Sequence, residues 1–252
     1  ADKKAHGDAS LEGAQFQLYA DSACTTKATV YNANGAKMTA GVYTIQNGKV
    51  TTDYLRSGVT YYLKEIKAPV GYNLSTEVIP IMADASGKTV EYTSEISNAE
   101  YGNNPILGKV AIQKYYSDGE TGLLDPEANT TFQVYLKSKG SYETCTDYER
   151  AIIKTDSNGY AVTGNLYYGT YVVHQVDSGD VDAIHVDDFD VEVTENGKVY
   201  TYPLNNKLFK AYLKILKKDK QTEKQVLKPG TAYKIYRVTD DGEELVSQSY
   251  SN

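Results

Sequence analysis

Leu11-Glu-Gly-Ala-Gln-Phe-Gln-Leu-Tyr19 returns as Glu127-Ala-Asn-Thr-Thr-Phe-Gln-Val-Tyr135 and again as Lys228-Pro-Gly-Thr-Ala-Tyr-Lys-Ile-Tyr236. Each copy ends in an alternation of apolar and polar residues, the period of a strand with one buried face. Each copy also follows a short polar loop, and each loop follows a lysine near the end of another alternating run. Self-similarity at a spacing of about one hundred residues predicts tandem units of a single fold.

Working outward, further strand-like runs appear at Val59-Thr-Tyr-Tyr-Leu63, Gly169-Thr-Tyr-Val-Val173, Phe189-Asp-Val-Glu-Val193 and Tyr212-Leu-Lys-Ile-Leu216. Turn dipeptides punctuate them: Asn34-Gly35, Asn47-Gly48, Ser86-Gly87, Asp118-Gly119, Asn158-Gly159, Asn196-Gly197 and Asp241-Gly242. No long stretch carries a helical period. The pattern predicts an all-β chain of tandem immunoglobulin-like β-sandwiches.

Composition agrees. Of the 252 residues 40% are hydrophobic, enough for a packed core, and tyrosine dominates the aromatic set with Tyr 24, Phe 4 and Trp 0. A net charge of −7 argues against a nucleic-acid partner, which requires concentrated Lys and Arg. No apolar run reaches the roughly 20 residues of a membrane span, so no membrane insertion is expected in this segment. Any secretion signal or wall anchor is expected to lie outside this chain. Cys24 and Cys145 have no neighbouring Cys or His at metal spacing and read as two unpaired thiols. No metal and no cofactor is expected. His6, His174 and His185 are scattered, and Asp177-Ser-Gly-Asp-Val-Asp182 lacks the full spacing of a calcium loop.

The lysines that precede each copy are the chemically telling residues. Val110, Ile112 and Lys114 share one face of their strand, as do Leu213, Ile215 and Lys217, because side chains alternate. A lysine that continues an apolar face points into a core, which is costly unless something uses it. At the far end of each full repeat, Ile96-Ser-Asn98 and Leu204-Asn-Asn206 put an asparagine two residues after an apolar strand residue. These marks place domains at 1–102 and 103–209, with 210–252 as the opening strands of a third, incomplete domain.

Tyr61-Tyr-Leu-Lys-Glu65-Ile-Lys-Ala-Pro-Val-Gly-Tyr72 resembles the Tyr-x-x-x-Glu-x-x-Ala-Pro-x-Gly-Tyr segment of collagen-adhesin B-type (SpaA-like pilin) domains of Gram-positive surface proteins. With the Gly-Ala-x-Phe-x-Leu-Tyr strand before it and the asparagine after it, the resemblance covers residues 1–102. Residues 103–209 resemble a divergent branch of that family, and the remainder resembles the opening of such a domain. The resemblance implies a sandwich in which a first-strand lysine is joined to a last-strand asparagine while a buried acid promotes the reaction. It implies a structural shaft or stalk module of a cell-wall-attached, extracellular fibre. Its partners would be other domains or subunits of that fibre, or, in the alternative reading as an adhesin, a host matrix protein or glycan. A polysaccharide-active sandwich would call for a carboxylate pair and exposed tryptophans, and Trp is absent.

The chemistry has a physical basis of its own. A lysine at its ordinary pKa of ~10.4 is not a nucleophile at neutral pH. Burial disfavours the ammonium, and it likewise raises the pKa of a carboxylic acid. A neutral amine beside a protonated acid can attack an amide carbonyl, with the acid relaying the proton and ammonia departing. The event happens once per site, so the chain is not an enzyme with turnover.

Carried over by resemblance, the first domain uses Lys3 as nucleophile (Lys4 its rival), Glu65 as acid and Asn98 as electrophile. In the second, Lys114 and Asn206 stand where expected, with Asn205 the rival amide. The Glu position there reads Gln175, which supplies no acid. Glu127, in the slot held by Leu11 in the first copy, is the substitute if that slot faces the core; a solvent-facing loop after Pro126 is the alternative. Asp188 and Asp190 are weaker choices. Lys217 is the candidate lysine of the third domain and has no partner amide within the chain.

Overall fold

The computed structural model describes residues 5–84, 102–117, 124–179, 183–208, 214–226, 228–239 and 242–250. The described residues are almost wholly strands and turns, with a single 3-10 turn at Lys137–Lys139 and no helix long and apolar enough to cross a membrane. Two compact units are separated, 1–209 and 210–252.

The first unit begins with β1 (Gln15–Tyr19), β2 (Thr29–Tyr31), β3 (Lys37–Thr39), β4 (Val42–Thr44), β5 (Thr60–Lys67) and β6 (Val78–Met82). Four of these form an antiparallel sheet in the order β4-β1-β5-β6, while β2 and β3 make a separate ribbon. Leu18, Val30, Tyr43, Tyr61, Ile79 and Ile81 close over one another as a first hydrophobic core. In β1, Phe16 lies opposite Glu65 of β5.

The central strands are β7 (Leu107–Ser117), β8 (Leu124–Pro126), β9 (Thr131–Leu136), β10 (Arg150–Lys154), β11 (Tyr160–Val162), β12 (Leu166–Tyr167), β13 (Gly169–Gln175), β14 (Ala183–Ile184), β15 (Phe189–Val193) and β16 (Val199–Leu208). They form two layers. One has the order β10-β9-β13-β15; the other runs β11-β7-β16-β14, with β8 and β12 also paired to β7. The inward residues of both layers meet in a second core: Val110 and Ile112 from β7, Phe132, Val134 and Leu136 from β9, Tyr171 and Val173 from β13, and Val191 and Val193 from β15. Alternation thus does what the sequence pattern predicts, turning every second residue into the sandwich. Here Phe132 lies opposite Gln175, the same register that pairs Phe16 with Glu65.

The feature that positions the site is the parallel pairing of β7 with β16. Lys109 to Ser117 run beside Val199 to Lys207, with Lys114 opposite Leu204. Parallel neighbours need a long crossover, and here the rest of the sandwich supplies it.

Tyr171 is fully buried, and its hydroxyl donates toward the carbonyls of Tyr167 (2.9 Å) and Tyr148 (3.2 Å). Burial, with Glu149 and Asp8 nearby, pushes its phenol well above the ordinary tyrosine range. Its stabilising contribution is therefore complete below the unfolded value of about 10 and is lost as pH rises beyond it. Tyr171→Phe is expected to cost about 1 kcal/mol at pH 7. That cost shrinks toward zero near pH 11, since one pH unit above the unfolded pKa is worth about 1.4 kcal/mol. Urea midpoints of both proteins at the two pH values check this.

The unit 210–252 contains β17 (Ala232–Thr239) and β18 (Gly242–Tyr250), paired as one antiparallel hairpin. Val238, Leu245, Val246 and Tyr250 are all exposed on it.

Candidate functional site

Val110, Ile112 and Lys114 alternate along β7, and all three are fully buried. On the neighbouring strand Tyr200, Tyr202 and Leu204 pack against the same core, and Asn206 continues that inward row at 1% exposure. The chain then leaves β7, and β8 pairs back onto it, bringing Glu127 under the end of the strand; the Glu127 amide donates to the Lys114 carbonyl (3.1 Å). Glu127 is itself 1% exposed, so the core-facing alternative of the two sequence readings describes its position.

Three functional groups converge there. Lys114 Nζ donates to Glu127 Oε2 at 2.8 Å and to the Tyr115 carbonyl at 2.7 Å. Asn206 Nδ2 donates to Glu127 Oε1 at 3.4 Å, and Thr130 Oγ1 donates to the same oxygen at 3.0 Å. The Asn206 side-chain carbonyl oxygen is buried with no hydrogen-bond donor among the described residues. Desolvation holds the Lys114 amine below the ordinary lysine range, against the opposing pull of Glu127. A fully enclosed ammonium–carboxylate pair is one proton transfer from a neutral amine and a neutral acid, and an amide with an unsatisfied carbonyl lies against both.

Thr130 and Gly159 were not anticipated. Thr130 follows Glu127 by three residues, the spacing of a turn hydroxyl, but such a signal is common. Gly159 has φ +71°, and a Cβ there would lie 2.2 Å from the Lys114 carbonyl oxygen. Only glycine lets the Asn158-Gly159 turn come close enough for its own carbonyl to accept the Lys114 amide at 2.7 Å.

The rival residues lie elsewhere. Asn205 is exposed on the outer face of β16. Asp188 and Asp190 are about half exposed, engaged by His174 and Lys137 respectively. Gln175 is buried but spends its amide on the Asp177 carbonyl and the Val186 amide. Asp177 accepts from the Thr131 and Gly179 amides, a structural turn. Cys24 and Cys145 are free thiols. Among the described residues no cluster of His, Cys, Asp and Glu could hold a metal ion.

At the first site Lys3, Lys4 and Asn98 lie outside the described residues. Glu65 is 2% exposed; its Oε2 accepts from the Ser75 amide (2.7 Å) and from Asn103 Nδ2 (2.6 Å), while its Oε1 is buried without a partner among the described residues. Asn103 was not read as a site residue, since nothing in its local sequence separates it from an ordinary linker asparagine. Lys217, expected to face a core, is exposed, as are Ile215 and Leu216 beside it. Within its unit the described strands form only one hairpin, so no second layer covers that face.

Residues 1–97 match the family model SpaA, described as a prealbumin-like fold domain. Among solved structures, the Bacillus anthracis TIE protein aligns with 100% of this chain at 22% identity and a TM-score of 0.56, the chain spanning 39% of that structure. GBS52, the minor pilin of Streptococcus agalactiae, aligns with 86% of the chain and 90% of its own length at 20% identity and a TM-score of 0.36. A C-terminal fragment of the pilus adhesin SpaC from Lactobacillus rhamnosus GG covers 81% of the chain and 91% of its own length at 12% identity and a TM-score of 0.41. No curated protein sequence matches. Over residues 1–97 the chain is therefore similar to SpaA-type prealbumin-like domains, which bears out the family resemblance read from Tyr61–Tyr72.

Proposed function

We propose that this chain is a structural segment of a Gram-positive surface stalk or pilus, extracellular and attached to the cell wall, whose domains lock themselves with lysine–asparagine isopeptide bonds. In this reading residues 1–102 and 103–209 are successive domains and 210–252 opens a third; its partners are other domains or subunits of the same fibre. The observation that carries the proposal is the enclosed Lys114–Glu127–Asn206 cluster, a nucleophile, an acid and an amide within hydrogen-bonding distance of one carboxyl group. The similarity of residues 1–97 to the SpaA family supports it from outside the site.

The reaction balances without a cofactor. The Lys114 proton passes to Glu127, and the free amine attacks Asn206 Cγ. The protonated Glu127 steadies the developing oxyanion and returns its proton to Nδ2. The Cγ–Nδ2 bond breaks and ammonia departs, while Nζ, now joined to Cγ, gives its second proton to Glu127, which hands it to the ammonia so that ammonium leaves. Fixed geometry stands in for a bimolecular encounter, an effective molarity of up to ~10⁵–10⁸ M. Glu127 ends as it began, and the site reacts once.

Intact-mass measurement tests the proposal. The chain is expected to weigh less than its sequence by one ammonia for each bond formed, and Lys114→Met is expected to retain one ammonia more than the parent once the substitution itself is subtracted. A parent mass equal to the plain sequence mass would refute the self-cross-linking reading.

A further inference from the structure

Glu127 shows how a complete site distributes its donors: the amide and a second hydrogen-bond donor share one carboxylate oxygen, and the lysine takes the other. Glu65 is arranged the same way on one of its two oxygens. The Ser75 amide and Asn103 Nδ2 share Oε2, and Oε1 is buried without a partner among the described residues. A cavity of about 20 Å³ lies beside it, bounded by Phe16, Ser75, Ile79 and Asn103. That is room for one ammonium-sized group. A buried carboxylate oxygen calls for a donor, and a lysine head is one that the cavity admits.

We infer that Asn103, rather than Asn98, is the amide that reacts at this first site. The inference rests on the self-cross-linking reading above and assigns its electrophile from geometry. Asn103 Nδ2 lies 2.6 Å from the acid, closer than Asn206 Nδ2 lies to Glu127 at 3.4 Å. The side chain is also fixed from behind, because Nδ2 donates to the Asn73 carbonyl at 2.9 Å as well. Its backbone neighbours are pinned to the loop after β5: the Asn73 amide donates to the Asn104 carbonyl (2.8 Å), and the Ile106 amide donates to the Gly71 carbonyl (2.9 Å). An amide held on two sides against a buried acid meets the positioning requirement of the reaction.

The step is the one written for the second site. An amine from the start of the chain, Lys3 or its neighbour Lys4, enters beside Oε1 and gives its proton to Glu65. Its Nζ bonds to Asn103 Cγ, the Cγ–Nδ2 bond breaks, and both protons shed by Nζ, relayed through Glu65, leave with the amide nitrogen as ammonium. The placement has a mechanical consequence. With Asn103 as the anchor, only residues 104–113 separate the first bond from Lys114, and that connector is itself paired to Gly71, Tyr72 and Asn73. Slack between the two cross-links is nearly eliminated.

Peptide mapping of the unaltered protein decides the matter, because cleavage after Glu100 separates Asn98 from Asn103. The expected product joins a Lys3- or Lys4-containing peptide to the peptide that begins at Tyr101, with one ammonia lost. Intact masses should agree: Asn103→Ala retains one ammonia more than the parent, and Asn98→Ala does not. A cross-link carried by the Asn98 peptide overturns the inference and leaves the self-cross-linking reading standing. A bond found only between Lys114 and Asn206 overturns it in the same way. A protein with no ammonia lost removes both.

Discussion

Asn206→Ala is expected to lower the thermal midpoint of the central sandwich by on the order of 20 °C. The proposed bond between Lys114 and Asn206 would close a loop of roughly 90 residues, and the chain-entropy account of such a closure gives about 4–5 kcal/mol. For a domain of this size each kcal/mol moves the midpoint by about 4–8 °C. The substitution is chosen because it removes the electrophile while leaving Lys114 and Glu127 paired in the core. Lys114→Met is a harsher change. It loses the same bond and also lacks the Lys114–Glu127 pair that Asn206→Ala keeps, a difference between the two variants of about 3–5 kcal/mol for a buried pair. The two substitutions together lose the bond only once, so the double variant is expected to equal Lys114→Met alone, apart from the small packing loss of the Asn206 amide. Calorimetry on the four proteins reads this directly, and a coupling energy near zero would mean that no covalent link joins the two residues.

How much of this was legible in the sequence depended on whether the signal was local. Val110, Ile112 and Lys114 declare a buried lysine because strand alternation forces every second residue to one side, and their burial agrees. Glu127 was legible only through the repeat: an acid in the slot that holds Leu11 in the first copy. The parallel neighbourhood of β7 and β16 was not legible, because the pairing joins residues about 90 positions apart and parallel strands leave no hairpin signature. Asn103 was hidden for a related reason. Its role follows from where the connector docks on Asn73 and Glu65, and a turn asparagine looks the same whether or not an acid lies beneath it. Lys217 misled because alternation reports which residues share a face and says nothing about whether another layer covers that face. In its unit the described strands supply one hairpin and no cover.

Pulled from its two ends, the parent protein is expected to release no chain from between Lys114 and Asn206, whereas Asn206→Ala releases roughly 300 Å in one step, at about 3.3–3.6 Å per residue. The direction of loading makes the contrast sharp. β7 and β16 lie side by side and parallel, so tension applied at the start of one and the end of the other shears their shared ladder instead of unzipping it. In the variant that ladder, from Lys109–Ser117 and Val199–Lys207, must fail as a block before the sandwich can open. With the bond in place the force enters along β7, crosses from Nζ of Lys114 to Cγ of Asn206, and leaves through Lys207. The chain between Lys114 and Asn206 then lies outside the loaded path, and the hydrogen bonds among its own strands carry none of the tension. Single-molecule force spectroscopy distinguishes the cases by extension alone, independent of rupture force. A full-length step in the parent protein would show that the amine and the amide, though neighbours, had never joined, and that such a domain lengthens under shear where a cross-linked one holds its length.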